Sequence, residues 1–168
     1  RYIFTQMDGD QSFFPDFLIN YHKVDNESDM LAYISRIGGI SRAIRQLLDR
    51  AKLGAAEGVR PPRFAYEVVI EEAQNLVTGT PFTEDSNQES ALWADSNAKI
   101  ATLFEANSID EDTADELRKA TKDALLQHFQ PAYAELITWF EADIDNCSDE
   151  SMGVGALPNG EAFYNAML

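Results

Sequence analysis

Ser108 to Asn146 reads SIDEDTADELRKATKDALLQHFQPAYAELITWFEADIDN, and this stretch decides the fold. Its apolar residues recur every three or four positions, which is the period of one helix face. The period continues across Pro131 and therefore predicts one long helix from about Ile109 to Asn146, kinked at the proline. Ser108 and Glu111 have the spacing of a capping box, in which each side chain satisfies the other residue's backbone donor. The apolar positions are Leu125, Phe129, Ala132, Leu136 and Phe140.

Helical spacing also dominates the rest of the chain. Asn26 or Ser28 is placed to cap a second long helix. Pro61-Pro62 suits another helix start, since a proline at the first helical position loses no intrahelical hydrogen bond. A further apolar pattern runs from Leu92 to Ala106. No segment shows the alternation typical of strands, so we predict an all-α fold, an irregular helical array of five or six helices.

The composition fits one folded domain spanning residues 1–168, because 45% of the residues are apolar. The formal net charge is −16. This charge argues against nucleic acid as a partner, since phosphate binding needs a concentrated basic surface, and against adhesion to anionic membranes. Basic residues are concentrated between Arg36 and Arg63, whereas acidic residues predominate from Phe64 onward. This charge asymmetry would suit docking to another part of a larger protein. No apolar run is long enough to span a bilayer.

Few residues of this chain suit metal binding or nucleophilic catalysis. Zinc sites use histidine, cysteine and carboxylates, and the chain contributes only His22, His128 and Cys147 to the first two classes. We interpret His128 as a structural residue, His22 as a loop residue and Cys147 as unreactive. Acidic pairs are abundant, and solvated helix surfaces explain them without a site. We predict no catalytic residue, no metal site and no cofactor in this chain.

The last stretch, Gly153 to Leu168, starts a helix of only about two turns, which is marginal in isolation. The chain therefore resembles a fragment of a larger protein. Phe163, Tyr164, Met167 and Leu168 fall on one side of this helix. We expect them to form an exposed apolar patch that faces the remainder of the parent protein or mediates self-association.

Several short stretches of the chain resemble a bacterial family known as domain of unknown function 885, and they occur in the family's order. A Leu-Pro-x-Gly turn at Leu157 to Gly160 resembles the same family. The resemblance implies a secreted protein or a lipoprotein, and hence an extracytoplasmic (periplasmic or lipid-anchored) location. The other matching stretches are Tyr2 to Gln11, Arg60 to Glu67, Leu92 to Asp95 and Pro131 to Tyr133.

Members of this family resemble helical zinc metallopeptidases. Their metal motif, a His-Glu pair followed by Gly-His-His, lies well downstream of the Leu-Pro-x-Gly turn and is absent from this chain. The resemblance thus implies a non-catalytic helical portion of a zinc-dependent, peptidase-like hydrolase, with zinc held by the rest of the parent protein. An arginine here would bind a carboxylate of a peptide substrate, and a tyrosine would steady an oxyanion. The candidate substrate-binding residues are Arg63, Tyr66, Asn159, Gly160 and Tyr164.

Two alternatives stay open at this point. The five candidate residues are equally of the types that fix a helix start and fill a core. The chain as a whole is also compatible with a self-contained acidic helical module that binds a cationic peptide or a partner domain. The residues of this chain identify neither the substrate nor the reaction.

Overall fold

A computed structural model describes residues 2–84 and 87–149, together with Ala162 and Asn165. The described residues form five helices and no strand, as the sequence predicts. The first four are α1 (Asp10–Tyr21), α2 (Glu27–Ala56), α3 (Arg63–Leu76) and α4 (Ala91–Glu105). The fifth, α5, extends over 36 residues in the consecutive segments Glu111–Ala124, Leu125–Phe129, Gln130–Asp143 and Ile144–Asn146.

Helix α5 continues through Pro131, which confirms the prediction of one long helix. Its geometry changes just before the proline, where Leu125–Phe129 forms a π-helical turn. There the N–H of Gln130 donates to the carbonyl of Leu125, five residues back. A proline inside a regular α-helix lacks the N–H donor and collides with the carbonyl four residues earlier. The wider turn accommodates the ring without ending the helix.

The predicted capping box at the start of α5 is wrong by two residues. The cap is Asp110, whose side chain accepts the backbone N–H of Thr113 at 2.8 Å. The N–H of Ser108 instead donates to the carbonyl of Leu103 at 2.9 Å, so Ser108 belongs to the turn that closes α4. An aspartate at this position also complements the positive end of the helix dipole. In α2 the cap is Asn26, one of the two predicted candidates.

The core lies around α5. Helix α2 packs along both halves of α5, α4 packs against the first half, and α3 packs against the second. Helix α1 lies on α2 and α3, and it is tied to α5 by Tyr133, whose hydroxyl donates to the carbonyl of Gln11 at 2.6 Å. His128 is exposed on α5 near Gly38 of α2, so it is not a core residue. The fully buried large side chains of α5 are Leu125, Phe129, Tyr133, Leu136 and Phe140.

His22 lies in the loop after α1, as predicted, and its side chain is buried there. It follows the last turn of α1, and its ring nitrogen Nε2 lies 3.1 Å from the carbonyl oxygen of Asp29 on α2. Nδ1 of the ring contacts the guanidinium of Arg36. Since a guanidinium only donates, Nδ1 accepts and Nε2 carries the single proton of a neutral ring. Burial and the charge of Arg36 lower the pKa of His22 below its ordinary value of 6.5.

The neighbours of His22 fix the sign of a pH effect on stability. Arg36 disfavours a charged ring and Asp29 favours it, while Lys99 of α4, which itself pairs with Asp95, adds a weaker positive charge. Because the folded pKa lies below 6.5, the unfolded chain binds more protons as the pH falls through that value. We therefore expect full stability above about pH 7 and a decline toward about pH 5.5, measured as the midpoint of urea unfolding.

Two histidine variants provide the control for this pH effect. His22→Gln keeps a side-chain donor but removes the titration, so its unfolding midpoint should change less with pH over the same window. His128→Gln removes the exposed histidine and should retain the dependence of the unmodified protein. Asp110 and Asp143, whose pKa values the fold lowers, titrate from an ordinary value of 3.8 and do not contribute in this window. An unchanged dependence in His22→Gln would show that another group is responsible.

Candidate functional site

A polar cluster joins the start of α3 to the end of α5. Arg60 lies in the loop just before Pro61 and Pro62, and its side chain reaches Asp143 on the last turn of the α-helical part of α5. Nε of Arg60 donates to Oδ2 at 2.8 Å, and Nη2 donates to Oδ1 at 2.9 Å. The two side chains are 21% and 11% exposed. This is a two-pronged ion pair, the strongest geometry available to an arginine and a carboxylate.

Asp143 also accepts hydrogen bonds from two further side chains. The hydroxyl of Tyr66 on α3 donates to Oδ2 at 2.9 Å, and Nδ2 of Asn146 donates to Oδ1 at 3.0 Å. The hydrogen bonds from Arg60 lower the pKa of Asp143, with Tyr66 and Asn146 adding to the effect. The same ion pair raises the pKa of Arg60. Asp143 is therefore an ionised carboxylate with both oxygens occupied, which suits it to positioning Tyr66 and not to accepting a proton.

Arg63, the first residue of α3, forms a looser set of contacts beside this cluster. Its Nε donates to Asp149 at 2.7 Å, and its Nη2 lies 3.4 Å from Asp145. Its backbone N–H donates to the carbonyl of Ser148 at 3.0 Å, which satisfies one free donor at the helix start. Both acidic partners are highly exposed, so these ion pairs hold the last turn of α5 and the residues just after it weakly.

Cys147 lies half-buried next to Tyr66 and Asp143. Burial raises the pKa of its thiol, and the negative charge of Asp143 adds to the rise although a hydrogen bond with Tyr66 opposes it. The thiolate is the reactive form of cysteine. This environment therefore favours the protonated, weakly nucleophilic thiol.

An apolar cleft of about 150 Å³ borders the cluster on the ring side of Tyr66. Tyr66 packs against Phe140 with ring centroids 4.5 Å apart, and Trp139 lies edge-on to Phe140 at 5.0 Å. The side chain of Tyr66 is 1% exposed, so its ring is fixed by packing while its hydroxyl is fixed by Asp143. The remaining lining residues are Tyr2, Ile3, Phe4, Arg50, Ala51, Gly54, Val59 and Pro61.

Two of the five candidate substrate-binding residues, Arg63 and Tyr66, lie in this region. They occupy the first turn of α3, with Tyr66 bordering the cleft and Arg63 paired to Asp149, just after α5. The other three, Asn159, Gly160 and Tyr164, lie outside the described residues, as do the residues of the expected C-terminal apolar patch.

Sequence reasoning missed the central ion pair. Arg60 was within a family-like stretch, and its place directly before two prolines was a usable signal, because prolines hold a side chain on a stiff backbone. Asp143 gave no signal, since it is one of 29 acidic residues. Only the three-dimensional structure shows that one of them meets Arg60.

Within residues 2–84 and 87–149, no group of three or more histidine, cysteine, aspartate or glutamate residues is placed to hold a metal ion. In the same part of the chain no helix is both long and apolar enough to cross a membrane.

The fold and the cluster define an all-α protein in which the Arg60–Asp143 ion pair fixes Tyr66 in one wall of an apolar cleft. The chain belongs to the family described as bacterial protein of unknown function (DUF885), whose model matches residues 1–168. This confirms the resemblance found in the sequence. No curated protein sequence matches the chain.

The fold is shared with a solved structure, that of a putative lipoprotein from Colwellia psychrerythraea. The two chains superpose with a TM-score of 0.81 at 19% sequence identity. The match covers 98% of this chain but 26% of that protein, so the present chain spans about a quarter of the relative's length. At this level of identity the likeness establishes the fold.

Proposed function

We propose that this chain is the non-catalytic helical portion of a larger extracytoplasmic, zinc-dependent hydrolase of the peptidase type. In that protein it forms one wall of the substrate cleft, and the zinc ligands come from other parts of the polypeptide. The observation that carries the proposal is the apolar cleft whose wall residue, Tyr66, is fixed by the Arg60–Asp143 ion pair. The length of the solved relative supports a larger whole.

In this proposal, Arg63 and Tyr66 serve a peptide substrate in different ways. Tyr66 fixes the wall of the cleft, because its ring is packed and its hydroxyl already donates to Asp143. Arg63 offers its guanidinium, because its partners Asp145 and Asp149 are 91% and 82% exposed. Exchange of such exposed ion pairs for a substrate carboxylate costs little. Asn159, Gly160 and Tyr164 would complete the contact, an assignment that rests on the family-like stretch of the sequence alone.

The test uses the full-length protein that contains this chain. Its adjoining sequence should hold a His-Glu pair and a downstream histidine cluster, and the purified protein should contain stoichiometric zinc and cleave peptides. Arg63→Ala should raise KM severalfold with little change in kcat, as expected when binding is lost uniformly. Arg118→Ala, which breaks an exposed pair with Asp115 on α5, is the matched control and should leave both constants unchanged. A full-length protein without such histidines would contradict the proposal.

The second candidate, a protein-binding module, is favoured by one observation on α1. Phe13, Phe17 and Tyr21 occupy successive turns and are 50%, 51% and 71% exposed. Neighbouring ring centroids lie 5.9 Å and 5.1 Å apart, and the groove beside them also holds Asp16 and Asn20. Exposed aromatic residues with an acidic border suit a partner that combines apolar and basic side chains.

Capture of a basic amphipathic peptide by the isolated chain tests this module. A helical peptide with leucines on one face and lysines on the other should bind, and Phe17→Ser should abolish this binding. Phe104→Ser, at a similarly exposed phenylalanine of α4, should leave it intact. Equal binding by the two variants would show that net charge alone attracts the peptide and would remove this candidate.

A further inference from the structure

The cleft beside Tyr66 is bordered by a cation, Arg50, that has no protein partner among the described residues. Arg50 of α2 lines the cleft one helical turn before Gly54. Among the described residues Arg50 makes no ion pair and no hydrogen bond. Arg42 is likewise unpaired in the described part of the chain but lies outside the cleft, whereas Arg45, Arg60 and Arg63 are each paired with a carboxylate. An arginine whose donors are unpaired in the described part of the chain, and which lies beside an apolar cleft, can bind an anionic ligand.

The size and walls of the cleft limit the apolar part of such a ligand. Its volume is about 150 Å³, and a cavity of about this size lined by apolar side chains holds one benzene molecule. The rings of Phe4, Trp139 and Phe140 form most of its aromatic wall. Tyr66 also lines the cleft, and its hydroxyl is already engaged by Asp143. A single phenyl-sized or branched aliphatic group fits this space, whereas a longer chain would exceed it.

The charge of Arg50 selects the polar part of the ligand. A guanidinium presents a planar fork of donors that matches the two oxygens of a carboxylate. Such a pair is worth more beside an apolar wall than in open water, because less water competes for the charges. The cleft therefore combines one apolar compartment with one anion-binding group at its edge.

We propose that this cleft binds a small carboxylate carrying one phenyl-sized apolar group, with the carboxylate on Arg50 and the apolar group against Trp139 and Phe140. This chemistry has two sources: a free aryl or branched-chain carboxylic acid, and the C-terminal residue of a peptide that ends in phenylalanine or leucine. The proposal concerns binding by this chain alone and does not depend on zinc or on hydrolysis.

The test is a titration of the chain followed by backbone amide NMR, with three probes. These are 3-phenylpropionate, its uncharged amide 3-phenylpropionamide, and acetyl-glycyl-phenylalanine. Saturable shifts centred on Gly54 and Trp139 are expected with 3-phenylpropionate. The amide should bind at least about tenfold more weakly, since it loses the charged hydrogen bonds. Binding by the acetylated dipeptide identifies a peptide C-terminus as the ligand, and its failure identifies a free acid.

Variants separate the two parts of the site. Arg50→Gln should weaken 3-phenylpropionate binding at least about tenfold, whereas Arg42→Gln, at another exposed arginine of α2 outside the cleft, should have no effect. Gly54→Leu should block the cleft. A Cβ at Gly54 would meet the Val59 carbonyl oxygen at 3.6 Å, which is an ordinary contact, so the backbone there leaves room for a Cβ.

Three results would overturn the proposal: no saturable binding at millimolar ligand, equal affinity for the acid and the amide, or shifts that map away from the cleft. Circular dichroism of each variant confirms that it is folded, so a loss of binding is attributable to the site. Peptide hydrolysis by the full-length protein is measured separately. The titration therefore tests only ligand binding in the cleft, and the hydrolysis assay tests only the proposed hydrolase function. A negative result in one experiment does not contradict the other proposal.

Discussion

Phe129→Ala should lower the free energy of unfolding by about 3–5 kcal/mol, the range for removing a buried aromatic side chain. Phe129 has no exposed surface and lies in the π-helical turn of α5. Its ring stacks on Tyr133 with centroids 4.3 Å apart and also contacts Phe82. The π turn spans five residues and is continuous with helix on both sides, so the backbone cannot easily collapse into the space that the ring vacates. Urea denaturation of the purified chain measures the change.

Phe104→Ala provides the comparison for this prediction. Phe104 lies on α4 and is 43% exposed, so its removal should cost less than about 1 kcal/mol. A loss in Phe129→Ala as small as that in Phe104→Ala would mean that the π turn relaxes to fill the cavity. It would also mean that the stacking around Phe129 is not a main source of stability.

The long helix could be predicted because its signal is local. Leu125, Phe129 and Leu136 keep helical spacing on both sides of Pro131, and periodicity depends only on neighbouring residues. The π turn could not be predicted in the same way. A single widened turn shifts the apolar positions by one residue. Apolar residues on one helix face already recur at either three or four positions, so a shift of one residue is not visible in the sequence. The structure therefore preserves the predicted helix and changes its local geometry.

The start of α5 illustrates the limit of motif reading. Ser108 and Glu111 satisfy the capping-box pattern, yet Asp110 lies between them and is itself a strong capping residue. The pattern alone does not show whether Ser108 or Asp110 caps the helix, because this depends on the turn that closes α4. That turn uses the backbone N–H of Ser108 and so places the residue before the new helix.

The candidate site was predictable only in part, because its residues are distant in sequence. Arg63 and Tyr66 follow the Pro61-Pro62 helix start, which marked the neighbourhood. Their acidic partners come from the end of α5, and Arg60 and Asp143 are 83 positions apart. A contact over such a separation depends on how α3 packs against α5, and no local pattern encodes that packing. The side chain of Asp143 is only 11% exposed, and such burial is a property of the fold.

Asp143→Ala should lower the free energy of unfolding by about 2–4 kcal/mol, because it leaves Arg60 and the buried hydroxyl of Tyr66 without their acceptor. The value lies somewhat below the cost of breaking a fully buried pair, since Arg60 retains 21% of its exposure. Glu135→Ala is the matched control. It breaks an ion pair with Arg45 in which both side chains are more than a third exposed, and should cost less than about 1 kcal/mol.

The pH dependence of the Asp143→Ala effect distinguishes a lost ion pair from a lost packing contact. Arg60 and Tyr66 hold the pKa of Asp143 below its ordinary value of 3.8, so the folded carboxylate binds fewer protons than the unfolded one. The stability contributed by its charge is fully present above 3.8 and is lost as the pH falls through the lower folded pKa. The difference in unfolding free energy between the unmodified protein and Asp143→Ala should therefore be constant near neutrality and shrink in acid. If this difference in unfolding free energy instead stays constant into acid, the effect of the substitution comes from lost packing. Tyr66 would then be positioned by the packing of its ring and not by its hydrogen bond to Asp143.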